Sequence, residues 1–318
     1  MRRAFHSAPK TQVSRTQHIP SPVKGWNTKD SIVELDPLFA PVMDNWYSKN
    51  SYVSVRKGQD THATGLSGAV NSLMVYNGFT SSKMFGASGT VIHDVTSAGA
   101  VGAAVVTGLT SDKWQHTQFS TLGGLYLILC NGADAVRNYD GTTWTTPSIT
   151  GSGLTSSNLI HVNIFKEKAF FIEKNTMNAW YLATGAISGA ASKLDFGTVF
   201  KRGGYLMAMG TWSIDGGTGI DDHAVWVTSQ GEIAVYQGTD PSSATSWALV
   251  GVFQMGTPLG RRCLTKLGGD LLYVSVDGLL PLSKSLMSAR VNNASALTEN
   301  IQPTMSASAI SYLTSFGW

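Results

Sequence analysis

Charge is scarce in this sequence: Asp, Glu, Lys and Arg make up 14% of its 318 residues, against about a quarter in an average soluble domain. Ser, Thr, Asn and Gly must therefore form much of the exposed surface, a neutral polar finish common in assembled particles. The formal net charge of +3 is too small to define a nucleic-acid-binding face. Cysteine is nearly absent. Cys130 sits inside an apolar run and Cys263 follows Arg261 and Arg262; without a pairing or ligand spacing they read as two buried free thiols of a reducing cytosol. Long apolar runs are missing too. The longest low-charge stretch, Ser97 to Thr110, is too short and too rich in Gly and Ala to span a bilayer. The basic start runs into Ser, Pro and Gln with no apolar signal core, so the expectation is a soluble product with no membrane insertion of its own.

Catalytic signatures are absent as well. No G-x-S-x-G, H-E-x-x-H, paired C-x-x-C or G-x-x-x-x-G-K occurs, and the seven histidines (His6, His18, His62, His93, His116, His161, His223) lack ligand spacing. The expectation is a chain that is not an enzyme, with no catalytic residue, no metal site and no cofactor.

What the sequence does contain is a recurring phrase: a Gly pair, a hydrophobic run, then Asn or Asp with Gly. It reads GGLYLILCNG from Gly123, EKAFFIEKN from Glu167, DDHAVWVTSQG from Asp221 and GGDLLYVSVDG from Gly268. Anchored on Tyr126, Phe170, Val225 and Leu272, the copies lie 44, 55 and 47 residues apart, near the roughly 40–50 residues of one propeller blade. A run such as Leu125 to Leu129 suits a strand covered on both faces. Asn131-Gly132, Asp140-Gly141 and Asp277-Gly278 supply the positive φ of tight turns, so Gly132, Asp140, Gly141, Asp277 and Gly278 are expected as structural turn residues. With 34 Gly and 10% aromatics, the fold expected is all-β: a β-propeller of four-stranded antiparallel blades, with an extended N-terminal arm.

Residues 1–60 differ from the rest, carrying Pro9, Pro20, Pro22, Pro37 and Pro41 of the ten prolines. Arg2, Arg3, Lys10, Arg15 and Lys24 all precede the first acid, Asp30, which suggests a partner-docking arm. Leu38, Phe39, Val42 and Trp46 are spaced for one short helix, and blade-like sequence begins near Tyr52. Residues 61–318 then form the propeller. Trp144, Trp180, Tyr181 and Trp247 mark outer strands, while the final SYLTSFGW reads as a strand without a partner. Either an early strand such as Leu73 to Tyr76 completes that last sheet or the propeller lacks a C-terminal part.

Three sites of possible chemistry weigh toward structural readings. Gly216 to Asp221 fits the calcium repeat G-G-x-G-x-D, flanked by Asp215 and Asp222, but that repeat works in tandem and here it occurs once. Tyr139-Asp140-Gly141-Thr142-Thr143-Trp144 resembles a sialidase-type turn, yet glycoside hydrolysis needs two facing carboxylates and no pair can be nominated. The nine tryptophans (Trp26, Trp46, Trp114, Trp144, Trp180, Trp212, Trp226, Trp247, Trp318) suit packing between blades better than sugar stacking.

The strings Val23-Lys24-Gly25-Trp26-Asn27-Thr28-Lys29-Asp30, Ala40-Pro41-Val42-Met43-Asp44-Asn45-Trp46-Tyr47 and Tyr52-Val53-Ser54-Val55-Arg56-Lys57-Gly58 resemble the opening of tail nozzle proteins (tail tubular protein B) of short-tailed bacteriophages. Val235-Tyr236-Gln237-Gly238-Thr239-Asp240-Pro241, Gly256-Thr257-Pro258-Leu259-Gly260-Arg261-Arg262 and Gly268-Gly269-Asp270 resemble the later blades of such virion proteins. The resemblance implies a structural virion protein in a ring of copies, hexameric in that family, bound to the tail adaptor or head-to-tail connector. It further implies non-specific passage of double-stranded DNA, assembly in the host cytoplasm and residence in the phage tail. Few charges and many hydroxyls suit a conduit that must not hold phosphates. Two other readings stay open: a phage propeller enzyme or lectin acting on host-surface glycan, and a propeller scaffold for protein partners.

Overall fold

The computed structural model describes residues 18–213, 222–285 and 295–316, and the chain divides into two compact units, Met1–Gly58 and Gln59–Trp318. Arg2, Arg3, Lys10 and Arg15 lie outside the described residues, as do Asp215 to Asp221 and Trp318.

The first unit is held by short strand pairs and polar turns. Gly25–Trp26 pairs in parallel with Phe39–Ala40, and Trp46–Ser48 pairs antiparallel with Val53–Val55. The side-chain oxygen of buried Asn27 accepts hydrogen bonds from the backbone N–H groups of Lys29 and Asp30, closing the first turn. Lys24 is part of this folded unit: its ammonium lies 2.6 Å from the Asp36 carboxylate and over the Phe39 ring. The helix expected across Leu38 to Trp46 is absent. Pro41 removes a helical donor and biases Ala40 to extended backbone, and Asn45 has φ +62°. The segment from Tyr52 pairs within this unit and does not start a blade.

The second unit is a propeller of five consecutive antiparallel sheets. Blade 1 comprises Ser72–Asn77, Ser82–Ser88 and Val91–Asp94; blade 2 comprises Gln115–Thr121, Gly124–Cys130, Arg137–Tyr139 and Trp144–Thr145. Blade 3 comprises Leu159–Phe165, Lys168–Glu173, Asn178–Tyr181 and Ser192–Asp195, and blade 4 comprises Leu206–Ser213, Asp222–Thr228, Glu232–Gly238 and Trp247–Gln254. Blade 5 comprises Leu264–Leu267, Asp270–Ser275 and Gly278–Pro281. Three blades have the expected four strands. Blades 1 and 5 have three. Trp144 and Trp247 mark outer strands as expected, whereas Trp180 and Tyr181 stand on the third strand of blade 3.

The recurring phrase is the second strand of blades 2 to 5. Its lack of alternation follows from the packing, since successive residues enter different cores. Leu127 and Leu129 join the core between blades 1 and 2, while Ile128 and Cys130 join the core between blades 2 and 3. Likewise Ala224 and Trp226 face blade 3, and Val225 and Val227 face blade 5. Gly132, Gly141 and Gly278 have φ of +77°, +100° and +111°; Gly141 and Gly278 lie at short links between paired strands, whereas Gly132 lies in the longer link between Cys130 and Arg137, and the Asp140 carboxylate accepts from the N–H groups of Thr142 and Thr143. Trp114, Trp180, Trp212, Trp226 and Trp247 are buried between blades, whereas Trp26 and Trp46 of the first unit are exposed. Cys130 and Cys263 are buried and free in different cores.

Two expectations about closure fail. Ser72–Asn77 pairs with Ser82–Ser88 and is the inner strand of its own blade, so it does not complete the last sheet. The C-terminal stretch read as a strand belongs to a helix, Gln302–Phe316, with Pro303 in its first turn, where a missing N–H costs no bond.

Candidate functional site

The inner strands of all five blades converge on one axial channel. Its wall takes Leu73 from blade 1, Gln115 and His116 from blade 2, His161 and Asn163 from blade 3, Met209 and Thr211 from blade 4, and Leu264 and Lys266 from blade 5. Arg261 and Arg262, in the segment that leads into blade 5, reach into it and leave a cavity of ≈ 350 Å³. A second cavity of ≈ 360 Å³ opens where the inner strands begin, between Ser111, Gly132, Lys174, Asn175 and Tyr205, and Arg261 lines this mouth as well.

Neighbouring inner strands are stitched across the channel wall by polar side chains. The His161 ring nitrogen Nε2 lies 2.9 Å from the Met209 carbonyl, which can only accept, so Nε2 carries the proton and Nδ1 is the bare nitrogen. Nδ1 is buried and has no partner. Asn163 donates to the Thr211 hydroxyl at 3.3 Å, and that hydroxyl donates to the Ile164 carbonyl at 3.1 Å. Arg261 donates through Nη1 to the carbonyls of Asn131 and Ile160, both at 3.3 Å. Arg262 donates through Nη2 to the Ser72 hydroxyl at 3.2 Å and the Trp114 carbonyl at 3.1 Å, tying the lead-in of blade 5 to blades 1 and 2.

Two glycines let these strands come close. A Cβ on Gly210 would stand 2.8 Å from the terminal methyls of Leu264 and Leu271, so a side chain there would require both leucines to shift. A Cβ on Gly132 would stand 2.5 Å from Ile160, at a φ of +77° that already favours glycine.

The electrostatics of the channel are one-sided. Arg261, Arg262, Lys266 and Lys174 line the two cavities, and none of the lining residues is a carboxylate. Burial lowers the pKa of both arginines, and for Arg262 the charge of Arg261 adds to the effect; a guanidinium keeps its proton regardless. Burial is also the main cause that pulls His161 down to about 4, against the opposing Met209 hydrogen bond and with help from Arg261. His116 is lowered by burial and by Arg262. Both rings are neutral near pH 7. Burial pushes the thiol of Cys263 up to about 12 and that of Cys130 up as well, so neither is a nucleophile.

Glycoside hydrolysis by two carboxylates needs an acid and a nucleophile or base on either side of the sugar, and among the described residues that line the channel there is no such pair. Among the described residues no three His, Cys, Asp or Glu side chains converge as metal ligands. Of the expected turn residues only Gly132 reaches the channel, while Asp140-Gly141 and Asp277-Gly278 shape hairpins elsewhere. Asp222, weighed as a calcium ligand, is engaged by the Lys166 ammonium at 2.6 Å and by the Ser213 hydroxyl. The sequence reading missed Arg261, Arg262, His161 and Lys174 as a group. Its one available signal was an Arg pair beside a buried Cys in a chain with little charge.

No protein-family model matches the chain, and no curated protein matches it. Among solved structures it is similar to a protein of Bacteroides uniformis that is by name a candidate 6-phosphogluconolactonase, with 15% identity, a TM-score of 0.43, and 65% of this chain against 64% of that one. It is also similar to BBS1N, solved in complex with ARL6DN, at 12% identity and a TM-score of 0.42, covering 72% of this chain and 67% of that chain. A third is the WD40 propeller domain of Doa1, at 9% identity and a TM-score of 0.40, over 66% of this chain and 61% of that one. Nothing about this chain's activity follows from likenesses of that grade.

Proposed function

We propose that this chain is a structural, partner-binding propeller, and that its specific setting is the tail of a short-tailed bacteriophage, as a nozzle or related head-to-tail component. The observation that carries the first part is the outer edge of blade 4. Trp247–Gln254 is an eight-residue edge strand with no further partner in its sheet among the described residues, and it displays Leu249, Val250 and Val252 to solvent. A long apolar edge is what proteins avoid unless another chain covers it. The second part is supported by the resemblance of the opening segment and later blades. In that setting copies form a ring, the segment that carries Arg2, Arg3, Lys10 and Arg15 docks on the adaptor while Lys24 stays in the folded first unit, and DNA passes along the axis between copies. The propeller's own channel is far too small for a duplex and is obstructed by Arg261.

The test is mass by light scattering, with negative-stain imaging, on the full chain and on Val250→Lys. A ring in the parent, and loss of most of it in the variant, is the expected result. A parent that stays monomeric at tens of micromolar, both alone and with extracted phage tails, would overturn the reading.

A further inference from the structure

We propose that the mouth of the axial channel binds a phosphoryl group, free or carried by a small molecule, between the Arg261 guanidinium and the Lys174 ammonium. The two cations converge on Gly132. The Lys174 ammonium lies 3.4 Å from the Gly132 carbonyl oxygen, and Arg261 Nη1 lies 3.6 Å from the position a Gly132 Cβ would take.

A structural arginine held by backbone carbonyls spends its donors on them. Arg261 does not. Both of its hydrogen bonds leave from Nη1 and both are long, at 3.3 Å. Nε and Nη2 make no hydrogen bond with the described residues, and neither is among the buried unsatisfied atoms, so they open to the cavities. A planar guanidinium edge with free donors, beside an ammonium, matches the oxygens of a phosphoryl group. The Tyr205 and Ser111 side chains stand on the same wall.

Charge balance points the same way. Among the described residues the lining of the mouth has two formal cations and no acid, in a concave site whose walls focus the field; the Asp134 carboxylate behind the wall is engaged by Asn131 and by the N–H groups of Thr110 and Ser111. A phosphate dianion neutralises it, whereas chloride or a single carboxylate leaves it half compensated. The cavity of ≈ 360 Å³ leaves space for a small group esterified to the phosphate. This site is independent of how the propeller assembles, since the edge of blade 4 takes no part in it.

Calorimetric titration of the full chain at constant ionic strength tests the site, with inorganic phosphate, glycerol 3-phosphate and acetate as the probes. Expected is saturable binding of one phosphate or phosphate ester per chain, at least about tenfold tighter than acetate. Arg261→Gln should weaken it about tenfold or more, and Lys174→Ala several-fold. Tighter binding of the ester than of inorganic phosphate would assign the site to a phosphorylated small molecule; equal binding would assign it to the free anion. Because Arg261 also ties blades together, the test rests equally on Lys174, which is exposed: Lys174→Ala should melt like the parent without ligand. Absence of saturable phosphate binding, or binding undiminished in Lys174→Ala, would overturn the proposal.

Discussion

A buried imidazole next to a guanidinium turns position 161 into a pH-dependent element of stability. His161 keeps its proton on Nε2 for the Met209 carbonyl, and protonating Nδ1 would place a second cation beside Arg261 in a cavity with no acid. Its folded pKa of about 4 lies below the usual value near 6.5. Between those values the unfolded chain takes up a proton that the folded chain refuses. The contribution is therefore complete above about pH 6.5 and is lost as pH falls toward 4, at a cost on the order of 2 kcal/mol; His116 acts in the same direction. Urea midpoints at pH 7 and pH 5 should fall for the parent and fall clearly less for His161→Gln. Equal falls would remove His161 as the source. The lowered carboxylates Asp94, Asp134 and Asp222 act only at lower pH. Turn residues such as Asp140 and Gly141 were legible because a turn is encoded by the residues that make it. His161 and Arg261 were not, because their meeting requires five strands far apart in the chain.

Second strands are where sequence and packing correspond most directly. Each is read by two cores at once, so its residues must be apolar on both faces, and four of five blades announced themselves that way. Blade 1 did not: Leu73 and Val75 on its inner strand are exposed, and its second strand carries Lys83 and Gly86 in place of an unbroken run. The helix expected at Leu38 to Trp46 came from a correct apolar spacing that ignored the two prolines within reach of it. Helix Gln302–Phe316 was missed because Tyr312 and Phe316 are residue types common in strands, although Tyr312, Leu313 and Phe316 are spaced as on one face of a helix. Trp226 tests the double-core account. It is fully buried, 4.7 Å from Phe196 and 5.8 Å from Phe170 between ring centroids. Trp226→Ala should cost about 3–5 kcal/mol in urea denaturation, by lost transfer and an unfilled cavity. Leu122→Ala, fully exposed in the hairpin between the first two strands of blade 2, should change stability by less than about 0.5 kcal/mol. Comparable losses at the two sites would contradict the assignment of Trp226 to a core.

At the scale of the whole propeller, the junction between blades 5 and 1 differs from the other four. Apolar cores join blades 1 and 2, 2 and 3, 3 and 4, and 4 and 5. Among the described residues no fifth core joins 5 to 1, and no strand from one end of the chain completes the sheet at the other. What spans the junction is polar: the Arg262 bonds to Ser72 and Trp114. Leu73, Val75 and Leu267 near it remain exposed. A net hydrogen bond is worth about 1 kcal/mol, or about 1.5–3 when one partner is charged, whereas among the described residues each apolar core buries 11 to 14 side chains, the larger of them worth about 1.5–3 kcal/mol apiece. The ring should therefore open at this junction first, well below the free energy of global unfolding. Native-state hydrogen exchange is expected to be fastest in the inner strands Ser72–Asn77 and Leu264–Leu267 and slowest in Leu159–Phe165 and Leu206–Ser213. Arg262→Ala should speed exchange in the first pair by about tenfold and leave the second pair unchanged. Uniform protection across all inner strands, or an Arg262→Ala effect spread evenly over the five blades, would mean that the junction is closed as firmly as the rest.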